Sequence, residues 1–178
     1  YTGFGLASNY DIHCKNLGDF VKRQQVWMTT GGSDLISLLL PSSFSDGAPT
    51  VEKVVPITLN GQNLIYVNEL EYNKATETLY GNVWTSNYIV EIDPQSGQCL
   101  TAWDLGPVVS EQPQGVDVLN GIACHPVEPY CLITGKFWPF IYRTVLSRTA
   151  GPSVNIPSSF SESFSGNSPA TSVPPIVH

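Results

Sequence analysis

The chain has 178 residues, a net charge of −7 and only eight Lys and Arg residues, which nowhere form a run. Because binding to a phosphate backbone needs clustered cations, this composition excludes an ordinary nucleic-acid partner. The longest apolar segment, Leu35 to Leu40, is interrupted by Ser37 and is too short to cross a bilayer, so no membrane partner is expected.

The chain opens with a strand-rich unit that contains an insertion. Residues 1–35 predict the inner strands of this unit, and the charged stretch 9–24 predicts a loop or short helix on the rim. His13 and Cys14 lie in that stretch. No second pair with metal-site spacing follows them, so they are interpreted as solvated loop residues.

The outer half of the first unit comes next. Outer strands are predicted at Leu35 to Leu40 and at Val51 to Leu59, split by a loop that contains two prolines. The dipeptide Asn60-Gly61 then predicts a turn that leads into the middle of the chain.

The middle of the chain, V-N-E-L-E-Y-N-K-A-T-E-T-L-Y-G-N-V-W, predicts a β-hairpin. Apolar and aromatic residues occupy both Val67 to Tyr72 and Thr78 to Trp84, with a polar loop between them. Two further strands are predicted at Tyr88 to Asp93 and Gln98 to Leu105. Residues 106–116 show little periodicity and predict a rim loop that borders a pocket.

Residues Leu119 to Trp138 repeat the strand–turn–strand pattern of the middle hairpin. The matched pairs lie 52 or 54 residues apart: Asn68 with Asn120, Gly81 with Gly135, Asn82 with Lys136, and Trp84 with Trp138. A weaker copy opens the chain, where Phe4-Gly5-Leu6-Ala7 matches Asn120-Gly121-Ile122-Ala123. After residue 147, the Ser/Pro-rich residues 148–178 predict a flexible or surface-wrapping tail.

Short strands in units of about 50 residues are typical of a β-propeller with one four-stranded blade per unit. We therefore predict an all-β fold of about three blades, at residues 1–63, 64–115 and 116–147. A β-sandwich with two similar halves is the alternative. Because propellers close with about four to eight blades, we expect an incomplete ring that is completed by N-terminal blades or by a second polypeptide.

Two of the four cysteines suggest a specific pairing. Cys124 and Cys131 flank a short loop and can face each other as the last pair of a hairpin. They form either a disulfide, if the protein is secreted, or two buried thiols. Cys14 and Cys99 have no local partner.

The repeated positions predict a functional site. In a propeller, corresponding positions of the inner strands line one funnel on the axis. Here they would supply amide and ammonium donors, which stabilise an oxyanion, and aromatic walls, which exclude water. The candidates are Asn68, Asn82, Trp84, Asn120, Lys136 and Trp138. Glu69 and Glu71, predicted on the opposite strand face from Asn68, are interpreted as rim or structural acceptors.

At these residues the sequence resembles the glutamine cyclotransferases, the plant and bacterial type of glutaminyl cyclase. The family motif L-N-E-L-E-Y followed by A-N-V-W is similar to residues 67–72 and 81–84. A second family block, V-L-N-G-I-A-Y-D-P followed by V-T-G-K-x-W-P, is similar to residues 118–126 and 133–139. The opening Gly3-Phe4-Gly5-Leu6 resembles the family's G-W-G-L.

The resemblance implies a five-bladed propeller that cyclises the N-terminal glutamine of peptides to pyroglutamate and releases ammonia. It implies catalytic roles for Lys136 and Asn68 and an aromatic wall at Trp84, and it implies no metal or other cofactor. Asn82, Asn120 and Trp138 are predicted to bind substrate with them.

The sequence departs from the family pattern in two places. The family's acid/base glutamate lies in an F-G-E-G-L-type motif that does not occur in this sequence, so we expect it in the missing N-terminal blades. Where the family tends to have Ser-Asp-Gly-Ser, this chain has Thr29-Thr30-Gly31-Gly32.

Two functions are therefore open. One is a secreted glutaminyl-peptide cyclotransferase that acts on peptides with N-terminal glutamine. The other is a non-catalytic propeller that serves as a structural or interaction module in a larger assembly.

Overall fold

The computed structural model describes residues 5–9, 25–41 and 47–148 and the backbone of residues 161–162. These residues form four antiparallel sheets and one short helix. Phe4, nearly all of the predicted insertion with His13 and Cys14, and most of the predicted tail lie outside the described residues.

The first sheet has four strands in chain order, which are β1 (Leu6–Ser8), β2 (Gln25–Thr29), β3 (Asp34–Leu39) and β4 (Thr50–Pro56). The two predicted outer strands are confirmed as β3 and β4. However, β4 ends at Pro56, and the next residues form a separate hairpin of β5 (Thr58–Leu59) and β6 (Gln62–Leu64). Its turn is Asn60-Gly61, with φ values of 52° and 77°, the left-handed pair that a type I′ turn requires.

The second sheet confirms all four strands predicted for the middle of the chain, which are β7 (Val67–Asn73), β8 (Thr78–Val83), β9 (Tyr88–Ile92) and β10 (Cys99–Asp104). After it, the predicted loop 106–116 contains the one-turn helix α1 (Gly106–Ser110). A proline in the first turn suits a helix start, and five residues are too few to show helical periodicity.

The third sheet consists of β11 (Leu119–Cys124), β12 (Cys131–Gly135) and β13 (Tyr142–Thr144). In the described part of the chain it has three strands, where four were predicted. A small fourth sheet was not predicted at all: β14 (Ser161–Glu162), from the tail, pairs antiparallel with β6.

The three larger sheets are arranged like neighbouring blades of a β-propeller. The innermost strand β7 contacts both β1 and β11, the first strands of the adjacent sheets. Gly5 shows how close this contact is, because a Cβ atom there would lie 2.9 Å from the backbone nitrogen of Glu69. The fold is therefore all-β and consistent with a partial propeller.

Two apolar cores fill the spaces between the sheets. One joins the first and second sheets and includes Trp27, Leu35, Leu70 and Leu79. The other joins the second and third sheets and includes Tyr80, Ile89, Ile122 and Ile133. Each sheet is thus stabilised mainly by burial against its neighbours, which fixes the relative positions of the innermost strands.

The question of the cysteine pair is resolved in favour of the disulfide. Cys124 and Cys131 are directly opposite each other in the β11–β12 register and are joined by a disulfide bond. Cys99 is a buried free thiol, and burial raises its pKa to about 12. A neutral, buried thiol reacts poorly with alkylating reagents, because the thiolate is the nucleophile.

A thiol titration tests this assignment. In a Cys14→Ser variant of the chain, we expect essentially no reaction with a thiol reagent at pH 8 under native conditions. Unfolding without reductant should expose one thiol, that of Cys99, and reduction before unfolding should expose three. Three thiols without reductant would show that Cys124 and Cys131 are not bonded.

Candidate functional site

Three asparagines come together where the inner strands of the second and third sheets meet. Asn68 Nδ2 donates a 2.6 Å hydrogen bond to Asn120 Oδ1 across the two sheets. Asn82, paired with Asn68 in the β7–β8 register, accepts a 3.3 Å hydrogen bond from the backbone N–H of Gly121 at its Oδ1. We call Asn68, Asn82 and Asn120 the asparagine cluster; all three are predicted site residues.

Asn82 contains an unpaired donor. The side chain is fully buried, and its Nδ2 has no hydrogen-bond partner among the described residues. The Gly121 N–H group needs an acceptor, so the amide oxygen of Asn82 must face it. Exchanging the amide oxygen and nitrogen would therefore not give Nδ2 a partner. Because a buried polar group without a partner is costly, this N–H group can be expected to meet a water molecule or a ligand.

The strand registers correct the equivalences drawn from the sequence. Trp84 N–H donates to Tyr66 O at 2.8 Å, and Lys136 N–H donates to Val118 O at 2.9 Å. Val67 pairs with Val83 as Leu119 pairs with Gly135. The equivalent pairs are therefore 52 residues apart throughout: Asn68 with Asn120, Asn82 with Thr134, and Trp84 with Lys136.

The matches of Gly81 with Gly135, of Asn82 with Lys136 and of Trp84 with Trp138 are thus wrong. The β7–β8 and β11–β12 hairpins have the same length, so one offset of 52 residues applies to both of their strands. The shared Gly-x-x-Trp motif, at an offset of 54, therefore does not mark equivalent positions. The correction places Trp84 and Lys136 at the same level of adjacent sheets, each immediately after the second strand of its hairpin.

Lys136 and Trp84 differ in their surroundings. The Lys136 side chain is exposed, and its ammonium group contacts no described partner, while its backbone is held on both sides by Asp117 and Val118. Trp84 is half-buried, and its ring packs edge-on against Tyr66 with ring centroids 5.9 Å apart. Tyr66 was missed by the sequence reasoning, although an aromatic residue directly before V-N-E-L was a visible signal.

Trp138 has the surroundings of a core residue. Its ring lies in the second core, over Gly135, and its indole N–H donates to the carbonyl of Asp117 at 2.8 Å. A Cβ atom on Gly135 would lie 2.3 Å from the ring, so the glycine is needed for this packing. These are the contacts of a core residue, and the pocket role of Trp138 stays a prediction.

A β-bulge changes the placement of the two glutamates. The β7–β8 register shifts between Asn68 and Leu70, and the extra residue Glu69 has a φ of 47°. One inserted residue inverts the alternation of side chains between the two faces of the strand. Asn68 and Glu71 therefore both contact the third sheet, where Glu71 accepts a 2.8 Å hydrogen bond from the Cys124 N–H group. The predicted opposite-face placement of Glu71 is therefore wrong, whereas its interpretation as a structural acceptor agrees with this bond.

Both glutamates have raised pKa values. Burial raises the pKa of Glu69 above its ordinary value of 4.5. Burial also raises the pKa of Glu71, where the nearby Glu69 charge adds to the effect and the Cys124 N–H bond partly offsets it. Carboxyl groups with raised pKa values occur both at functional sites and in structural clusters.

These shifts predict a pH dependence of stability. The folded state holds protons on Glu69 and Glu71 more tightly than the unfolded state, so stability is lost as the pH rises from 4.5 through the folded-state pKa values. Glu69→Gln should therefore raise the Tm at pH 7 and leave it nearly unchanged at pH 4. The exposed Glu111→Gln is the control, and an equal gain at both pH values would contradict the prediction.

Other features of the described residues bear on the site. No group of three His, Cys, Asp or Glu side chains is arranged to hold a metal ion within residues 5–9, 25–41 and 47–148. In the same ranges no helix has the length and apolarity needed to span a membrane. A polar cleft of about 730 Å³ lies at the far ends of the inner strands, beside Thr76 and Asp93, away from the asparagine cluster.

Known proteins with similar sequences or structures agree on one family. The family model for glutamine cyclotransferase matches residues 19–146. A glutaminyl-peptide cyclotransferase of Arabidopsis thaliana is 34% identical over 126 residues, which is 62% of this chain and 38% of that protein. The crystal structure of Myxococcus xanthus glutaminyl cyclase matches with a TM-score of 0.55 and 29% identity, over 67% of this chain and 50% of that one. The chain thus spans half or less of the length of these relatives.

Proposed function

Because this chain belongs to the glutamine cyclotransferase family, we propose that it is part of a glutaminyl-peptide cyclotransferase. Such an enzyme is an acyltransferase that converts the N-terminal glutamine of a peptide to pyroglutamate. The observation that carries the proposal is the meeting of Asn68 and Asn120, with Trp84 and Lys136 at equivalent positions just beyond them. The alternative, a non-catalytic module, is not favoured, since one related protein is named a glutaminyl-peptide cyclotransferase and the other a glutaminyl cyclase.

The reaction sets three physical requirements. The α-amine must fold back onto the carbon of its own side-chain carboxamide, which is a problem of positioning. As the N–C bond forms, negative charge develops on the carboxamide oxygen and needs a donor. A proton must then pass from the attacking amine to the leaving nitrogen, so that the C–N bond breaks and ammonia departs.

The residues of this chain can meet the first two requirements. Lys136 is the proposed donor to the developing oxyanion, because it is an exposed cation at the same level as Trp84. Asn68 uses one N–H to bond Asn120, which fixes its amide plane, and the remaining amide groups can orient the substrate carboxamide. Asn82 and Asn120 are proposed to hold this arrangement, and Trp84 to form the apolar wall.

The third requirement, proton transfer to the leaving nitrogen, is proposed to be met by a residue of a further blade. Leu70 and Ile122 pack on the preceding sheet and are 3% and 6% exposed, whereas Leu6, at the matching position, is 67% exposed. This exposed leucine supports the proposal that another blade packs against the first sheet, from the same polypeptide or from a complementary chain. We propose that such a blade supplies the acid/base glutamate. The Cys124–Cys131 disulfide supports a secretory location.

The proposal is tested with the full-length protein and a peptide that begins with glutamine. We expect loss of ammonia, followed by mass spectrometry, well above the spontaneous rate. The same peptide with an acetylated α-amine is the control, because that nitrogen cannot attack. Equal rates with and without protein would end the enzyme hypothesis.

A further inference from the structure

Tyr66, between β6 and β7, has a backbone conformation that its residue type disfavours. Its φ is 64°, in the left-handed region, where a bulky aromatic residue is an outlier. Non-glycine residues in such conformations cost free energy, and they cluster at functional sites. Thr85 and Phe137, which directly follow Trp84 and Lys136, share this conformation, with φ values of 61° and 62°.

The contacts of Tyr66 hold it firmly in this conformation. Its N–H donates to Gly31 O in the first sheet at 3.1 Å, and its carbonyl accepts from Trp84 N–H in the second. Its ring packs against Trp84 at an interplanar angle of 76°, yet the residue stays 37% exposed. Burial alone therefore does not explain why an aromatic residue stands here, and more than a third of the residue's surface faces solvent.

The position of Tyr66 indicates which part of a peptide it would meet. It lies two residues before Asn68, just ahead of the start of β7, a distance of about 7 Å in extended backbone. In the proposed arrangement the carboxamide lies near Asn68, with the long Lys136 side chain reaching back to it, and the α-carbon and the following residue are directed outward. That following residue reaches the level of Tyr66 and Trp84.

We propose that Tyr66 is a specificity-determining residue, forming with Trp84 an aromatic wall for the side chain that follows the N-terminal glutamine. The inference rests on the proposed cyclase function and adds a substrate class to it. The preferred substrates are peptides with an aromatic second residue, since aromatic pairs contribute beyond their buried area.

The experiment compares the peptides Gln-Phe-Ala and Gln-Gly-Ala with the full-length protein. We expect kcat/KM to favour the first peptide about threefold to tenfold, the size of one aromatic contact. Tyr66→Gly should reduce this ratio to about one without lowering the Tm, because glycine adopts a φ of 64° freely. Tyr66→Phe keeps the ring and should keep the ratio.

Asn60→Gly is the matched control. Asn60 also has a positive φ, 52°, but lies in the β5–β6 turn, so relieving its backbone should leave the peptide ratio unchanged. If Tyr66→Gly does not fold, Tyr66→Asn serves instead, because asparagine tolerates the left-handed region and lacks the ring.

The outcomes separate this inference from the function on which it rests. Wild-type protein that cyclises both peptides equally, or a Tyr66→Gly variant that keeps the preference, would overturn the role of Tyr66 and leave the cyclase function standing. Failure to cyclise either peptide would overturn both. The proposed aromatic wall is supported if Tyr66→Gly loses the preference for Gln-Phe-Ala while Tyr66→Phe and Asn60→Gly keep it.

Discussion

Replacing Lys136 by alanine in the full-length protein is expected to lower kcat for a glutamine-leading peptide about a hundredfold to a thousandfold, the usual effect of removing one oxyanion donor. The loss should fall on kcat more than on KM, because the oxyanion exists only along the reaction path. The Tm should change little, since the Lys136 side chain is exposed and its ammonium group contacts no described partner. Steady-state kinetics with calorimetry would measure both effects.

Lys53→Ala is the matched control for this variant. Lys53 is also an exposed lysine, but it lies on the outer strand β4, where its ammonium group donates to Gln95 O at 2.6 Å. We expect Lys53→Ala to keep wild-type kcat, and Lys136→Arg, which retains a cation, to recover part of the activity. Full activity in Lys136→Ala would remove this residue from the mechanism.

Much of the fold could be predicted because its signals are local. The β7–β8 and β11–β12 hairpins are encoded by apolar and aromatic runs around polar turns, and Asn60-Gly61 has the backbone freedom that a tight turn needs. The Cys124–Cys131 spacing was compatible with the last pair of a hairpin, which is where the disulfide lies. Such features depend on neighbours within a few residues.

The site was harder to predict because its arrangement depends on register. The bulge at Glu69 turns Glu71 toward the third sheet, and nothing in N-E-L-E-Y shows where an extra residue is accommodated. The Gly-x-x-Trp match suggested that Trp138 is a second Trp84, but backbone hydrogen bonds place Lys136 there instead. An arrangement set by contacts between sheets is only weakly encoded in one stretch of sequence.

The largest effect on stability is expected from breaking the ion pair between Glu91 and Arg148. Glu91, on β9, is fully buried and accepts hydrogen bonds from Thr78 Oγ1 and from Nε and Nη2 of Arg148. Arg148 follows the third sheet, and the carbonyl of the preceding Ser147 accepts from Trp103 Nε1 at 3.0 Å. The segment that follows the third sheet therefore packs against the second sheet. The second and third sheets are joined by this ion pair as well as by their shared core.

Arg148→Ala is expected to lower the free energy of unfolding by about 3 kcal/mol, because it leaves a buried carboxylate without its counter-charge. The value is at the lower end for buried pairs, since half of the Arg148 side chain is in water. Chemical denaturation measures the change. The control is Arg143→Ala, which removes an exposed cation 4.2 Å from the Tyr130 ring and should cost about 1 kcal/mol or less.

The double variant Arg148→Ala with Glu91→Gln separates charge from packing. A neutral glutamine can still accept the Thr78 hydrogen bond, so most of the lost stability should return if the unpaired charge is the cause. If the double variant is as unstable as Arg148→Ala alone, the loss comes instead from the arginine's packing across the second sheet. In that case the ion pair contributes little to holding the second and third sheets together.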